Sequence, residues 1–231
     1  SKWIGDYPYN NVSAVEGAIS AGGGMEYPNV TVIGAMSTAN ELEVTIAHEV
    51  GHNWLYGILG SNERDHTWMD EGINTFYELR YDDAKHDSGM ISSSMLGETK
   101  FFGLNEVTDR KLQELEYFLT ARRNSDQPLN ITSEKFSRTN YGANVYAKTG
   151  LCFQYLRAYL GDSLFDKCMN KYFETWKFRH PYPDDIRTVF ESVTQKNLSW
   201  FFDGLLKTNK KIDYSITCAK RRDEKEADFE I

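Results

Sequence analysis

Two histidines four residues apart, with a glutamate directly after the first, form the stretch His48-Glu49-Val50-Gly51-His52. Glu71 follows His52 after eighteen intervening residues. Imidazole and carboxylate are donors that zinc takes in proteins, at about 2.0–2.2 Å. Side chains four apart on a helix lie about 5–6 Å apart at Cβ, so both rings can reach one shared ion. Two histidines cannot complete a tetrahedral shell, and Glu71 supplies a third donor. The fourth position then stays open for water, the pattern of a catalytic rather than a structural zinc. Glu49 lies beside the ligands without ligating, placed to handle that water as general base. The expectation is one Zn2+ held by His48, His52 and Glu71.

The elements that must carry these groups are legible in the periodicity. Between Glu41 and Tyr56, Leu42, Ile46, Val50 and Trp54 recur every fourth residue as the apolar stripe of a helix. Thr45, His48, Glu49 and His52 fall on a different face, and Gly57 and Gly60 read as stop signals. A second helix is expected over residues 68–81, with Glu71, Thr75 and Glu78 on one side and Met69, Ile73, Phe76 and Arg80 on another. Gly72 inside it costs about 1 kcal/mol against Ala, a choice that close packing against the first helix would explain. Asp70 reads either as a helix cap or as a partner of a ligand, and Thr75 as a hydrogen-bonding partner behind Glu71. The metzincin variant needs Gly three residues after His52 and His three beyond that. Leu55 and Ile58 occupy those positions, which excludes it.

Residues 1–40 read as strand and loop, and Val30-Thr31-Val32-Ile33 alternates like a short strand. Gly22-Gly23-Gly24 precedes Met25-Glu26 and reads as a rim of the site, where an extended peptide adds to a sheet edge. Residues 82–103 read as loop, and 105–123 as an amphipathic helix through Leu112, Leu115 and Leu119. Residues 141–160 read as a buried helix ending at Gly161, followed by helices at about 163–177, 184–195 and 198–207. The mixed-charge stretch from Asp213 to Ile231 looks like a tail or severed linker.

With 231 residues, of which 40% are hydrophobic, the chain can build a sizeable core. A net charge of −8 without a long basic run argues against nucleic acid as a partner. No apolar stretch approaches the ~20 residues of a membrane span. No signal peptide is recognisable, and a start at Ser1 rather than Met suits an excised fragment, so the compartment stays open. Cys152 and Cys168 fall in apolar helical patterns and read as small buried hydrophobes; with Cys218 the count is odd and makes no disulfide framework. The sequons at Asn11, Asn29, Asn130 and Asn197 are treated as chance matches, and His66, His86 and His180 as surface residues.

At this point several motifs converge. The HExxH stretch, the eighteen-residue gap and Trp68-Met69-Asp70-Glu71-Gly72 resemble the gluzincin metallopeptidases of the M1 aminopeptidase type. Gly23-Gly24-Met25-Glu26-Tyr27 resembles their G-x-M-E-N exopeptidase motif, with Tyr27 in place of Asn. Val145-Tyr146-Ala147-Lys148-Thr149-Gly150 resembles their tyrosine segment, with one extra residue before the glycine. The resemblance runs from about residue 5 to residue 207. It implies an α+β, thermolysin-like zinc metallopeptidase catalytic domain over residues 1–210, with a small mixed sheet lobe (about 1–40) and a larger helical lobe (about 41–210). Residues 211–231 would then be a tail or linker to a further module of a longer protein. The implied activity is a zinc aminopeptidase acting on peptides with a free N-terminus, with Glu49 as base and Tyr146 as oxyanion stabiliser. Gly24, Met25 and Glu26 would bind substrate, Glu26 through its α-ammonium, and Tyr141 would line the pocket. The alternatives are a zinc endopeptidase or other hydrolase on the same scaffold, and a non-catalytic binding module.

Overall fold

A computed structural model describes residues 1–19, 23–85 and 108–211, together with the strand backbones 218–221 and 227–230. A small sheet leads the chain. Strands β1 (Ser13–Glu16), β2 (Gly24–Met25) and β3 (Val30–Ile33) lie in the order β1-β3-β2. β1 runs parallel to β3, pairing Ser13 with Val30 through Glu16 with Ile33, and β2 runs antiparallel, pairing Gly24 with Ile33. The sheet is therefore mixed, and β2 is an edge strand.

Helix α1 (Ala39–Leu55) follows, its first turn capped by Thr38, whose hydroxyl accepts from the Glu41 amide at 3.1 Å. Its burial inverts the simple amphipathic picture. The buried residues are Glu49, His52, Asn53 and Leu55, whereas Leu42 of the apolar stripe is 41% exposed. That stripe faces a hollow of about 590 Å³ shared with Trp3, Tyr77 and Tyr81. Thr67–Met69 forms one 3-10 turn, and α2 (Glu71–Lys85) runs from the third expected ligand four residues past the expected end.

α2 lies against α1 on one side, where Asn74 donates to the His48 carbonyl at 2.7 Å. A side chain on Gly51 would overlap the Asn74 carboxamide, so the helices approach there because Gly51 has none. Gly72 does not perform that service, contrary to expectation. A methyl there would collide with Thr149 and the Val145 carbonyl, so Gly72 seats α2 against the helical stretch over residues 141–160.

Helix α3 (Asp109–Ala121) shows a second inversion. Leu115 and Leu119, expected on its buried side, are 54% and 52% exposed. It packs instead against residues 141–148. The long helix expected over 141–160 is present but divided, with Tyr141–Lys148 wound as a π-helix and Thr149–Leu160 as α4. It ends at Gly161 with φ of 78°, in the left-handed region that glycine tolerates. Helices α5 (Asp162–Trp176) and α6 (Pro183–Thr194) and a second π-helical segment (Trp200–Leu206) complete the lobe. Phe76, Phe153, Phe165, Phe190 and Phe201 join α2, α4, α5, α6 and the last segment in one aromatic core. Cys168 lies in that core and Cys152 packs at its edge.

Within the segment expected as a tail, β4 (Cys218–Arg221) and β5 (Ala227–Glu230) pair antiparallel. Among the described residues no helix is long and apolar enough to cross a membrane. Of the loop expected over residues 82–103, residues 82–85 belong to α2, and the remainder lies outside the described residues, as do Gly22 and His86.

Candidate active site

α1 and the start of α2 bring three donor atoms into one small triangle. His48 Nε2 lies 3.1 Å from His52 Nε2 and 3.2 Å from Glu71 Oε2, and His52 Nε2 lies 3.3 Å from the same oxygen. Ligands about 2.05 Å from a tetrahedral zinc stand about 3.3 Å apart along each edge, so the triangle has the size of one face of such a shell. Glu71 opens its helix, where the macrodipole favours a carboxylate. Burial would push the Glu71 carboxyl up, but hydrogen bonds from His48 and His52 hold it well below the usual carboxylate range. Burial would likewise depress both imidazoles. Hydrogen bonds to Glu71 and Glu78 instead carry His48 well above its ordinary value, and those to Asp70 and Glu71 carry His52 to about 9. A pocket that stabilises positive charge on two rings suits a divalent cation that displaces those protons.

Each ring is held from behind. His52 Nδ1 donates to Asp70 Oδ1 at 2.6 Å, and His48 Nδ1 donates to Glu78 Oε2 at 2.8 Å. Both bonds leave Nε2 facing the triangle, which sets the tautomer that ligation needs. Asp70 therefore stands behind the His52 ring. Burial raises its carboxyl to about 6, against the opposing pull of His52. Thr75 does not play the part expected of it. Its hydroxyl donates to the Glu71 backbone carbonyl at 2.9 Å, not to the carboxylate. Glu78 fills the second supporting position. Its signal was present in the sequence, seven residues after Glu71 on the same helical face.

Glu49 lies beside the triangle, 6% exposed, with Oε2 making no hydrogen bond to a described residue. Burial lifts its carboxyl to about 7, with the charges of His48 and His52 pulling the other way. A group half-protonated near neutrality, with an unoccupied oxygen, is suited to moving a proton. Gly24 of the edge strand lies directly against it, because any side chain there would overlap the Glu49 carboxylate. Glu26 follows in the chain, and a carboxylate oxygen of Glu26 lies within 4.8 Å of oxygens of Asp70 and Glu71.

On the opposite wall, Tyr146 stacks on His48 with ring centroids 5.9 Å apart and hydrogen-bonds Glu71; burial, then the Glu71 charge, raises its hydroxyl far above its usual value. In a π-helix the hydrogen bonds run from i to i+5, so residues five apart share a face. Tyr141 and Tyr146 do so, with ring centroids 5.9 Å apart. Gly24, Met25, Glu26 and Tyr146 line a cleft of about 520 Å³ with the triangle and Glu49. Tyr141 lies beside Tyr146 and against Phe136, where burial and the charges of Glu71, Asp70, Glu63 and Glu26 raise its hydroxyl. The larger hollow behind α1 is mainly apolar and holds none of the triangle.

Comparison with known proteins agrees in kind. The family described as the peptidase family M1 domain matches residues 1–205. Leucine aminopeptidase 2 of Sclerotinia sclerotiorum is 27% identical over 67% of this chain and 24% of its own length. The leukotriene A-4 hydrolase homolog of Botryotinia fuckeliana is 24% identical over 84% of this chain and 31% of its own. Aminopeptidase N of Lactococcus lactis is 22% identical over 74% of this chain and 19% of its own. The chain thus spans less than a third of the length of these relatives. Among solved structures, an M1 zinc metallopeptidase of Deinococcus radiodurans superposes with a TM-score of 0.65 at 19% identity, covering 91% of this chain and 42% of that one. Native yeast LTA4 hydrolase superposes with 0.66 at 17% identity, covering 93% and 34%. These likenesses show the fold.

Proposed function

Because the chain belongs to peptidase family M1, we propose that it is a zinc-dependent aminopeptidase, hydrolysing the first peptide bond of peptides with a free N-terminus. The observation that carries this reading is the triangle of His48, His52 and Glu71 donors with the unpaired Glu49 oxygen beside it. A zinc ion held by those donors supplies Lewis acidity, lowering the pKa of water towards ~7 and polarising the scissile carbonyl.

The side chains divide the remaining work. Asp70 and Glu78 keep the two imidazoles in the ligating tautomer. Glu49 takes a proton from the attacking water and returns it to the leaving amine. The Tyr146 hydroxyl donates to the oxygen on which charge develops. The outer edge of β2 at Gly24 and Met25, which pairs with no described strand, offers backbone groups to an extended peptide. Glu26 pairs with the substrate's α-ammonium, which limits cutting to the first bond. The missing length relative to the aminopeptidases compared supports further modules in the full protein, packed around this domain.

The test uses amino-acid arylamides and matched peptides with free or acetylated N-termini. Wild type loaded with zinc is expected to cleave only the free forms, and Glu49→Gln to keep zinc while losing turnover. Equal turnover of free and acetylated substrates rejects amine anchoring by Glu26. Cleavage inside blocked peptides identifies an endopeptidase instead, and zinc content without any turnover a binding module.

A further inference from the structure

Glu26, set against the substrate's α-ammonium in the reading above, stands between two ties. On one side the buried Thr31 hydroxyl donates to the Met25 carbonyl at 3.3 Å. On the other, the Val30 amide donates to the Tyr27 carbonyl at 3.1 Å and closes a four-residue turn. Pro28 is its second residue and Asn29, with φ of 64°, its third. That is the pattern of a type II turn, whose third residue must enter the left-handed region that asparagine tolerates. The turn is fastened to α1. The Asn29 amide donates to Asn53 Oδ1 at 2.9 Å, and Asn53 Nδ2 donates to the Val50 carbonyl at 3.0 Å. Asn53 is 3% exposed and directly follows His52 in α1. Tyr7 braces the same junction from the segment before β1. Its hydroxyl donates to Asn29 Oδ1 and lies 3.5 Å from Asn53 Oδ1, and its ring rests on Trp54 with centroids 4.8 Å apart.

We propose that Asn53 is a positioning residue for amine recognition: acting through the turn, it fixes where the Glu26 carboxylate stands relative to the metal donors. The turn after Glu26 and the helix carrying His48 and His52 are separate elements, and the Asn29–Asn53 hydrogen bond couples them one residue away from a donor. The coupled groups are close, with a Glu26 oxygen within 4.8 Å of oxygens of Asp70 and Glu71. A peptide held by its α-ammonium presents its first carbonyl at a distance set by where that anchor sits. A displacement of about 1 Å in such a positioned group can cost 10²-fold in rate. Water has little access to the Asn53 carboxamide, so removing its oxygen leaves the Asn29 N–H without an acceptor and releases the turn. Asn53 touches no substrate atom in this account and works through Glu26. The inference rests on the aminopeptidase reading and deepens it by naming what holds the anchoring carboxylate.

The experiment is a double-mutant cycle on the zinc-loaded chain with leucine arylamide, combining Asn53→Leu and Glu26→Ala. Asn53→Leu is expected to lower kcat/KM about tenfold, equivalent to ~1.4 kcal/mol, with zinc content unchanged. In the Glu26→Ala background the same substitution should change kcat/KM by less than about twofold, since no anchor is left to misplace. A tenfold loss in both backgrounds overturns the proposal, because damage to the fold alone is additive. An unchanged kcat/KM in both overturns it as well. Tyr7→Phe keeps the ring on Trp54 and should show the same dependence on Glu26 at about threefold. It decides the matter if Asn53→Leu does not fold or loses zinc. The tie itself is read by hydrogen exchange in wild type, where the Asn29 amide should be protected; free exchange there overturns the proposal. Turnover of leucine arylamide by wild type reports separately on the aminopeptidase reading. If there is none, that reading fails by itself. The cycle is then read from calorimetric dissociation constants of leucinamide, where equal effects of Asn53→Leu in the two backgrounds overturn the inference.

Discussion

Removing the carboxylate behind His52 should weaken zinc binding more than removing the one behind His48. Asp70 meets His52 Nδ1 at 2.6 Å with side chains only 2% and 1% exposed. Glu78 meets His48 Nδ1 at 2.8 Å with 12% and 14% exposed. Loss of such a partner typically lowers metal affinity by about 10- to 100-fold, or ~1.4–2.8 kcal/mol. At the dry position no water replaces the lost acceptor, so the ring N–H is left unsatisfied and its orientation is lost. Asp70→Ala is therefore expected near the upper limit, about 100-fold, and Glu78→Ala near the lower, about tenfold. Asp70→Asn should fall between wild type and Asp70→Ala, because a carboxamide oxygen still accepts the His52 proton while the charge is gone. The measurement is zinc competition against a fluorescent chelator at fixed pH, with thermal unfolding in excess chelator to register damage to the fold alone. Asp70→Ala binding zinc within about twofold of wild type while folded would refute the reasoning. A reversed order of Asp70 and Glu78 would refute the argument from burial.

Three further outcomes follow from the same geometry. Tyr146→Phe keeps the stacked ring on His48 but removes the hydroxyl, so kcat for arylamides should fall by about 10²–10³ with little change in zinc affinity. Gly51→Ala places a methyl against Asn74 at the closest approach of α1 and α2, and should destabilise the chain by about 1–3 kcal/mol, read by denaturant titration. Stripping zinc should lower the melting temperature: saturation at about 100 times Kd stabilises by ~2.7 kcal/mol, which for this size is about 5–11 °C in a thermal scan.

The grouping of the candidate donors was more legible than the packing. His48, Glu49, His52 and Glu71 announced themselves by residue type and spacing, because i, i+4 pairs on a helix converge in whatever fold contains them. The packing readings failed where they assumed that the apolar side of a helix is its inner side. Leu42 on α1 and Leu115 and Leu119 on α3 face outward, while α1 buries Glu49, His52 and Asn53. Gly72 marked a close approach, as expected, but against Thr149 rather than α1. Thr75 turned to its own helix backbone, as a hydroxyl in mid-helix readily does. The π-helical winding of residues 141–148 had no mark in the hydrophobic pattern, yet it sets Tyr141 beside Tyr146.

By itself the sequence determined which side chains could form a donor set, the carboxylate beside them, the helices that carry them and the resemblance to a peptidase family, all properties of local spacing along the chain. Only the tertiary structure decided which carboxylates stand behind each imidazole and which glycine lets two helices meet. Those pairings join residues far apart in the chain, and their strength depends on burial, which is a property of the assembled fold and of no segment alone.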